Sequence, residues 1–177
     1  MKIAIIGYSG AGKSTLAETL SNYYSIPKLH MDTLQFQPGW QDSDREWMLG
    51  EMKNFLTKHE AWVIDGNYSW CCYEERMQEA NQIIFLNFSP WTCLFRAFKR
   101  YLTYRGMVRE SMAAGCPERF DWGFIRWILC DGRTKNAKER YQRVQENYPE
   151  KVIVLRSQKE MDHFLENLAN NKKNQRT

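Results

Sequence analysis

The sequence predicts an α/β domain, a parallel sheet with helices on both faces. Three observations predict it. Five short apolar runs (2–6, 28–31, 61–64, 82–87 and 152–155), each flanked by polar or turn residues, read as buried strands with little alternation. Segments of helical period separate them, and strand–helix alternation implies a doubly wound sheet with right-handed crossovers. A length of 177 residues, 43% hydrophobic and 26% charged, suits one compact domain, read as residues 1–170.

The first run, Lys2-Ile-Ala-Ile-Ile6, leads straight into Gly-rich sequence and then a helical stretch, Leu16-Ala-Glu-Thr-Leu20. No cleavage-type spacer follows it, so it reads as a strand and not a signal core. After the second run, residues 32–42 carry Pro38, Gly39 and Trp40 and read as a loop. Ser43-x-x-Glu46 has the spacing of a capping box and opens a helix with Met48, Met52, Phe55 and Leu56 on its core face. The third run is followed by Asp65-Gly66. After the fourth, Pro90 starts a helix with Trp91, Leu94, Phe95, Phe98 and Leu102 on one side and Arg96, Lys99 and Arg100 on another.

Residues 105–121 break this pattern with Gly106, Gly115 and Pro117 and are rich in Arg. A loop of that length inside a small domain is expected to be a functional lid. A further helix carries Tyr141, Val144 and Tyr148, and the last carries Met161, Phe164, Leu165 and Leu168. Between them Ser157 and Glu160, just past the fifth run, fit either a helix N-cap or a loop lying against a nucleotide base. The polar tail, 171–177, is expected to fray.

Charge narrows the function classes. The net charge is only +4, but residues 96–143 hold 12 Lys/Arg against 5 Asp/Glu, a net of +7. Such a basic middle suggests an anionic ligand, polyphosphate or nucleic acid. Five cysteines without paired spacing and three scattered histidines point to neither a disulfide framework nor a zinc site. Reduced thiols and a cytoplasmic location are expected. No run of ~18 apolar residues occurs, so no transmembrane helix is expected.

The sharpest signal is Gly7-Tyr-Ser-Gly-Ala-Gly-Lys-Ser-Thr15, a match to G-x-x-x-x-G-K-[ST] between a strand and a helix. Its glycines let the backbone turn with positive φ and let phosphate oxygens approach the amides. Gly7, Ser9, Gly10, Ala11, Gly12, Lys13, Ser14 and Thr15 are therefore the expected binding residues for ATP. Lys13 reaches the β- and γ-phosphates, and the Ser14 hydroxyl ligates Mg²⁺.

Two acids follow strand ends, Asp32 after Leu29-His-Met31 and Asp65 after Trp62-Val-Ile64. Open α/β sheets bind ligands beyond the carboxyl ends of their strands, so both are candidates to orient an acceptor hydroxyl, take its proton or support the metal. His30 reads as a satisfied strand histidine before a catalytic one. Phe36, Trp40 and Tyr68 read equally well as core residues or as walls around a ring. Among Arg96, Arg100, Arg105, Arg109, Arg119, Arg126 and Arg133, the leading phosphate contacts are Arg100 and Arg105, where the helix after Pro90 gives way to the lid.

Together these motifs resemble the adenylate-kinase-like nucleoside and nucleotide kinases. Gly7 to Thr15 with Leu29-His-Met-Asp32, Pro38-Gly-Trp40 and Asp65-Gly-Asn-Tyr68 most resemble the DNA topology modulation protein (FlaR-like) family. The resemblance implies a P-loop NTPase three-layer αβα fold, five parallel strands in the order 2-3-1-4-5, an acceptor-binding flap, a helical lid, and ATP with Mg²⁺. Adenylate kinases carry Asp-Gly-Phe-Pro-Arg where this chain has Asp65-Gly-Asn-Tyr-Ser69, so the Arg that holds an acceptor phosphate there is missing. A lone Cys116 in the lid excludes a zinc-bearing lid, and no Asn-Lys-x-Asp supports a GTPase. The expectation is an ATP-dependent kinase acting on a small-molecule acceptor. The alternative is a nucleotide-binding regulator that influences DNA topology through direct or indirect contact. A recognisable nucleic-acid-reading module is absent from the sequence, which makes DNA the weaker partner.

Overall fold

The structure, a computed structural model, describes residues 1–174. In chain order its elements are β1 (Lys2–Gly7), α1 (Lys13–Tyr24), β2 (Lys28–His30), α2 (Met31–Gln35), β3 (Phe36–Gln37), β4 (Gln41–Asp42), α3 (Arg45–Lys58), β5 (Trp62–Asp65) and α4 (Tyr73–Glu79). They continue with β6 (Gln82–Leu86), α5 (Pro90–Tyr104), α6 (Trp122–Leu129), a 3-10 turn (Asp131–Arg133), α7 (Lys135–Asn147), β7 (Val152–Leu155) and α8 (Gln158–Asn174). Residues 175–177 of the tail lie outside the described residues.

Five strands form one parallel sheet in the order β2-β5-β1-β6-β7. Counting only this sheet's strands the order is 2-3-1-4-5; the labels shift because a two-residue hairpin, β3 with β4, is inserted. The central strands are apolar on both faces because helices cover both. Ile3 to Ile6, Trp62 to Ile64 and Ile83 to Leu86 are all buried. Among the described residues no helix is long and apolar enough to cross a membrane, and all five cysteines are free thiols.

Three local readings are corrected. The segment 32–42 is not a plain loop: α2 continues directly from β2, and the hairpin follows, turning at Gly39 and Trp40 with φ of +78° and +65°. Helix α3 is capped by Asp44 and not Ser43. The Asp44 carboxylate accepts the Trp47 N–H at 2.8 Å, while the Ser43 hydroxyl is buried without a hydrogen-bond partner. Asp wins because its ionised oxygen is a stronger acceptor at a helix N-terminus than a hydroxyl. The core face of α3 is Met48, Met52 and Leu56, with Phe55 at its edge beside His59.

The third correction is the apolar side of α5. Cys93 and Ala97 face the core, while Trp91 and Phe95 are 71% and 69% exposed and Phe98 and Leu102 also face solvent. Small residues win the core face because α5 crosses close to the P-loop backbone: a Cβ on Gly10 would lie 2.5 Å from the Cys93 carbonyl oxygen.

The stretch 105–121 is irregular, with α5 before it and α6 after it. It packs on the hairpin in a second small core, Met112, Ala113 and Cys116 against Phe36 and Trp40. Gly39 N–H donates to Gly115 O (3.0 Å), Trp40 Nε1 to Pro117 O (3.2 Å) and Cys116 Sγ to Gln37 O (3.1 Å). Hairpin and Arg-rich stretch thus make one roof. At the other end Ser157 does cap α8. Its Oγ accepts the Glu160 N–H at 3.2 Å, and Glu160 accepts the Arg156 N–H at 2.9 Å.

Candidate active site

A cavity of about 690 Å³ lies beyond the carboxyl ends of β1, β2 and β5, under the roof. Its floor is the loop from β1 to α1. Gly10 and Gly12 have φ of +81° and +97°, a conformation that L side chains resist. At Gly12 a Cβ would also sit 2.4 Å from Arg96 Nη2, so the loop and the arginine are in close contact. Helix α1 has no side-chain cap and no acid in its first turn. Its first N–H groups lack intrahelical acceptors, and with the helix dipole they make a site for an anion.

Ser9, Gly10, Gly12, Lys13, Ser14 and Thr15 line the cavity. Gly7 and Ala11 act from below. Gly7 is held by the Asn67 side chain, which accepts the Gly7 N–H (3.0 Å) and donates to its carbonyl (2.5 Å). Ala11 is buried, its N–H on Tyr8 O at 3.1 Å. Lys13 Nζ donates to the same carbonyl at 3.3 Å. Burial pushes its pKa down, and the nearby Asp32 and Asp65 carboxylates oppose that fall.

The two strand-end acids are placed differently. Asp65 is buried at the end of β5 between two partners. His30 Nδ1 donates to its Oδ1 (2.5 Å), and the Ser14 hydroxyl donates to its Oδ2 (2.9 Å). A carboxylate can only accept, so the Ser14 proton points at Asp65 and its oxygen lone pairs are left for a cation. A serine oxygen backed by a carboxylate is the hard-oxygen donor set that suits Mg²⁺. Asp32, in α2, lines the cavity itself. Its Oδ1 accepts the Tyr68 hydroxyl at 2.6 Å, and no described residue engages its Oδ2. Burial and the Asp32 charge raise the Tyr68 pKa far above its ordinary value, so the phenol keeps its proton and donates it.

The arginines divide sharply. Arg96, Arg100, Arg109 and Arg119 reach the cavity. Arg105 does not line it: this residue is the C-cap of α5, with its side chain exposed. Arg133 lies 3.7 Å over the Tyr8 ring and donates to Phe88 O and Ile128 O, bracing the P-loop from behind. Arg126 pairs with Asp131.

Four further residues escaped the sequence reading. Arg76 is fully buried and donates to Gly66 O (3.3 Å) and Tyr68 O (3.1 Å), fixing the turn that carries Tyr68. Burial lowers its pKa to about 10. Asn67 stood inside the quoted Asp-Gly-Asn-Tyr run, but only its pairing with Gly7 reveals its work. Glu118 clamps Arg100 and Arg109. Trp127 Nε1 donates to Ser9 Oγ at 3.0 Å. None of these contacts has a local sequence signal, because each joins residues more than eight positions apart or acts through backbone carbonyls.

No protein-family profile matches the chain, and no curated protein does. Solved structures do. A gluconokinase from Sinorhizobium meliloti 1021 is 18% identical with a TM-score of 0.51, over 98% of this chain and 96% of that one. A deoxyadenosine kinase from M. mycoides with products dCMP and a flexible dCDP bound is 17% identical with a TM-score of 0.50, over 96% and 100%. The same kinase with bound dATP is 18% identical with a TM-score of 0.50, over 96% and 99%. At these identities the likeness shows the fold, that of P-loop kinases.

Proposed function

We propose that this chain is an ATP-dependent phosphotransferase of the nucleoside and nucleotide kinase type, transferring the γ-phosphoryl group to a hydroxyl of a small molecule. The observation that carries the reading is one cavity that joins a P-loop, Lys13 and Ser14, to Asp32, a carboxylate with one oxygen left free by the described residues. The kinase neighbours and the resemblance to the FlaR-like family support it. In this reading Gly10, Gly12 and the first turn of α1 hold the phosphates. Lys13, with Arg96 beside Gly12, offsets the charge that spreads over the moving group. Mg²⁺, held by Ser14 with Asp65 behind it, would supply further charge neutralisation at the phosphate oxygens.

Asp32, oriented by Tyr68, takes the proton of the acceptor hydroxyl through Oδ2. The acceptor oxygen bonds to the γ-phosphorus as the bond to the ADP oxygen breaks. The roof of hairpin and Arg-rich stretch keeps out water, which otherwise competes as acceptor. His30 fixes Asp65 and does no chemistry of its own. DNA contact is less favoured, since part of the basic middle is taken up within the molecule: Arg100 and Arg109 clamp the buried Glu118, and Arg133 braces the P-loop.

The test is Lys13→Ala. We expect kcat/KM for ATP to fall about 10²–10³-fold or more, as for loss of a group aimed at transition-state charge. ADP release that survives this change unaltered rules out the P-loop assignment.

A further inference from the structure

Helix α5 has a packed face and a bare one. Cys93 and Ala97 are buried, Cys93 against Gly10, and Arg96 and Arg100 reach the cavity. On the other side Trp91, Phe95, Phe98 and Leu102 stay 71%, 69%, 42% and 59% exposed. They follow one another at spacings of 4, 3 and 4 residues, the heptad seam by which one helix packs along another. The stripe covers about 60° of the helix, narrower than the face that a helix lying on a bilayer buries. Leu94 and Tyr101 border it on one side, half-buried, with Phe120 against Phe98 and Tyr101 at 5.3 and 6.0 Å. Thr92 and Lys99, both exposed, border it on the other. Lys99 is the one charged residue of α5 beside the stripe, and α5 contains no acid.

The area of this stripe points to what covers it. At about 150–250 Å² for a whole aromatic side chain, Trp91, Phe95 and Phe98 together bare about 270–450 Å², and Leu102 adds to that. A standard interface covers about 800 Å² on each partner, of which about 55–65% is apolar. The stripe therefore supplies nearly all the apolar area that one side of such an interface needs. The other side needs a matching seam of apolar residues on a helix, and a second copy of this chain carries one. Both helices are held in shape by their own domains before they meet, so little ordering entropy opposes the pairing.

We propose that the protein forms a symmetric dimer in which α5 packs antiparallel along α5 of a second copy. Two-fold symmetry presents the same stripe from both sides, so the surface is complementary to itself. The axis passes between Phe95 and Phe98. Phe95 then meets Phe98 of the second copy, and Trp91 meets Leu102 of the second copy, the largest side chain of the stripe against the smallest. The same arrangement sets Lys99 beside Thr92 of the second copy and keeps the two lysines apart. It also sets the apolar border of Leu94 and Tyr101 against its own counterpart. A parallel pair would lay each Lys99 on that apolar border, with no partner for its charge.

The experiment is sedimentation equilibrium of the full chain over a range of concentrations. The expected mass is twice the 21.1 kDa of one chain, with a Kd of about a micromolar or tighter, the range of interfaces of this size. Phe95→Glu and Leu102→Glu each put a carboxylate into the seam and should raise the Kd at least about 100-fold. Trp47→Glu changes an exposed tryptophan on α3 and should leave it within about threefold. Because Phe95 and Leu102 project from the fold, each seam variant should keep the circular dichroism of the wild type and, below the association range, its urea midpoint. Trp91→Lys combined with Leu102→Glu should recover at least about tenfold over Leu102→Glu alone, since only antiparallel helices bring these two positions together. A wild-type chain that stays monomeric at about 100 µM overturns the proposal, whether or not it binds phosphatidylserine vesicles, and this result stands even if a variant misfolds. A mass that climbs past two chains, a dimer that both seam variants leave intact, or a double variant that recovers nothing overturns it as well.

Discussion

Asp32 and Asp65 are the same residue type at similar positions, and their neighbours give them different work. Asp65 is closed in by His30 and by the Ser14 hydroxyl, the group proposed to ligate Mg²⁺. Asp32 has only the Tyr68 hydroxyl on one oxygen and opens to the cavity. Their strand-end placement was legible in the sequence, but the division of roles was not, because it depends on partners 35 and 36 positions away. The division is testable. Asp32→Asn should lower kcat by about 10²–10⁴-fold, the range for loss of a general base, while ATP affinity measured by calorimetric titration stays within about threefold. A parallel loss of ATP affinity would instead put Asp32 in the nucleotide site.

At the scale of elements, two helices carry the contrast between pattern and packing. The capping reading of α3 chose a plausible hydroxyl one residue early. Asp44→Ala should lower stability by about 1 kcal/mol, and Ser43→Ala should leave it unchanged or raise it, since the Ser43 hydroxyl is buried without a partner. Urea denaturation of the pair separates the two caps. Helix α5 shows periodicity without burial: its apolar stripe is regular, yet the P-loop admits only Cys93 and Ala97. Phe95→Ser should therefore change stability by no more than about 0.5 kcal/mol, against about 2–5 kcal/mol for Met52→Ala in the core. The hairpin was hidden because its strands are two residues each, too short for any alternation to register.

For the molecule as a whole, the sheet was readable because five apolar runs and a phosphate loop are local signals, and the order of strands followed from the resemblance those motifs carry. The roof was less readable. Its two halves, 36–42 and 105–121, meet through backbone carbonyls and a small core that no periodicity announces. Arg105 illustrates the limit: it stands five residues past Arg100, which carries it about 140° around the helix, and as the C-cap it lies outside the cavity, while Arg96, about one turn before Arg100, lies against Gly12. In the proposed function this cavity moves a phosphoryl group from ATP to a hydroxyl. The direct measurement is mass-spectrometric analysis of a nucleoside mixture incubated with ATP and Mg²⁺ and either the wild-type protein, Lys13→Ala or Asp32→Asn. A phosphorylated nucleoside that forms with the wild-type protein and is lost with both variants is the predicted result. ADP accompanied only by inorganic phosphate, or no ADP from a protein that binds duplex DNA tightly at physiological salt, would contradict it.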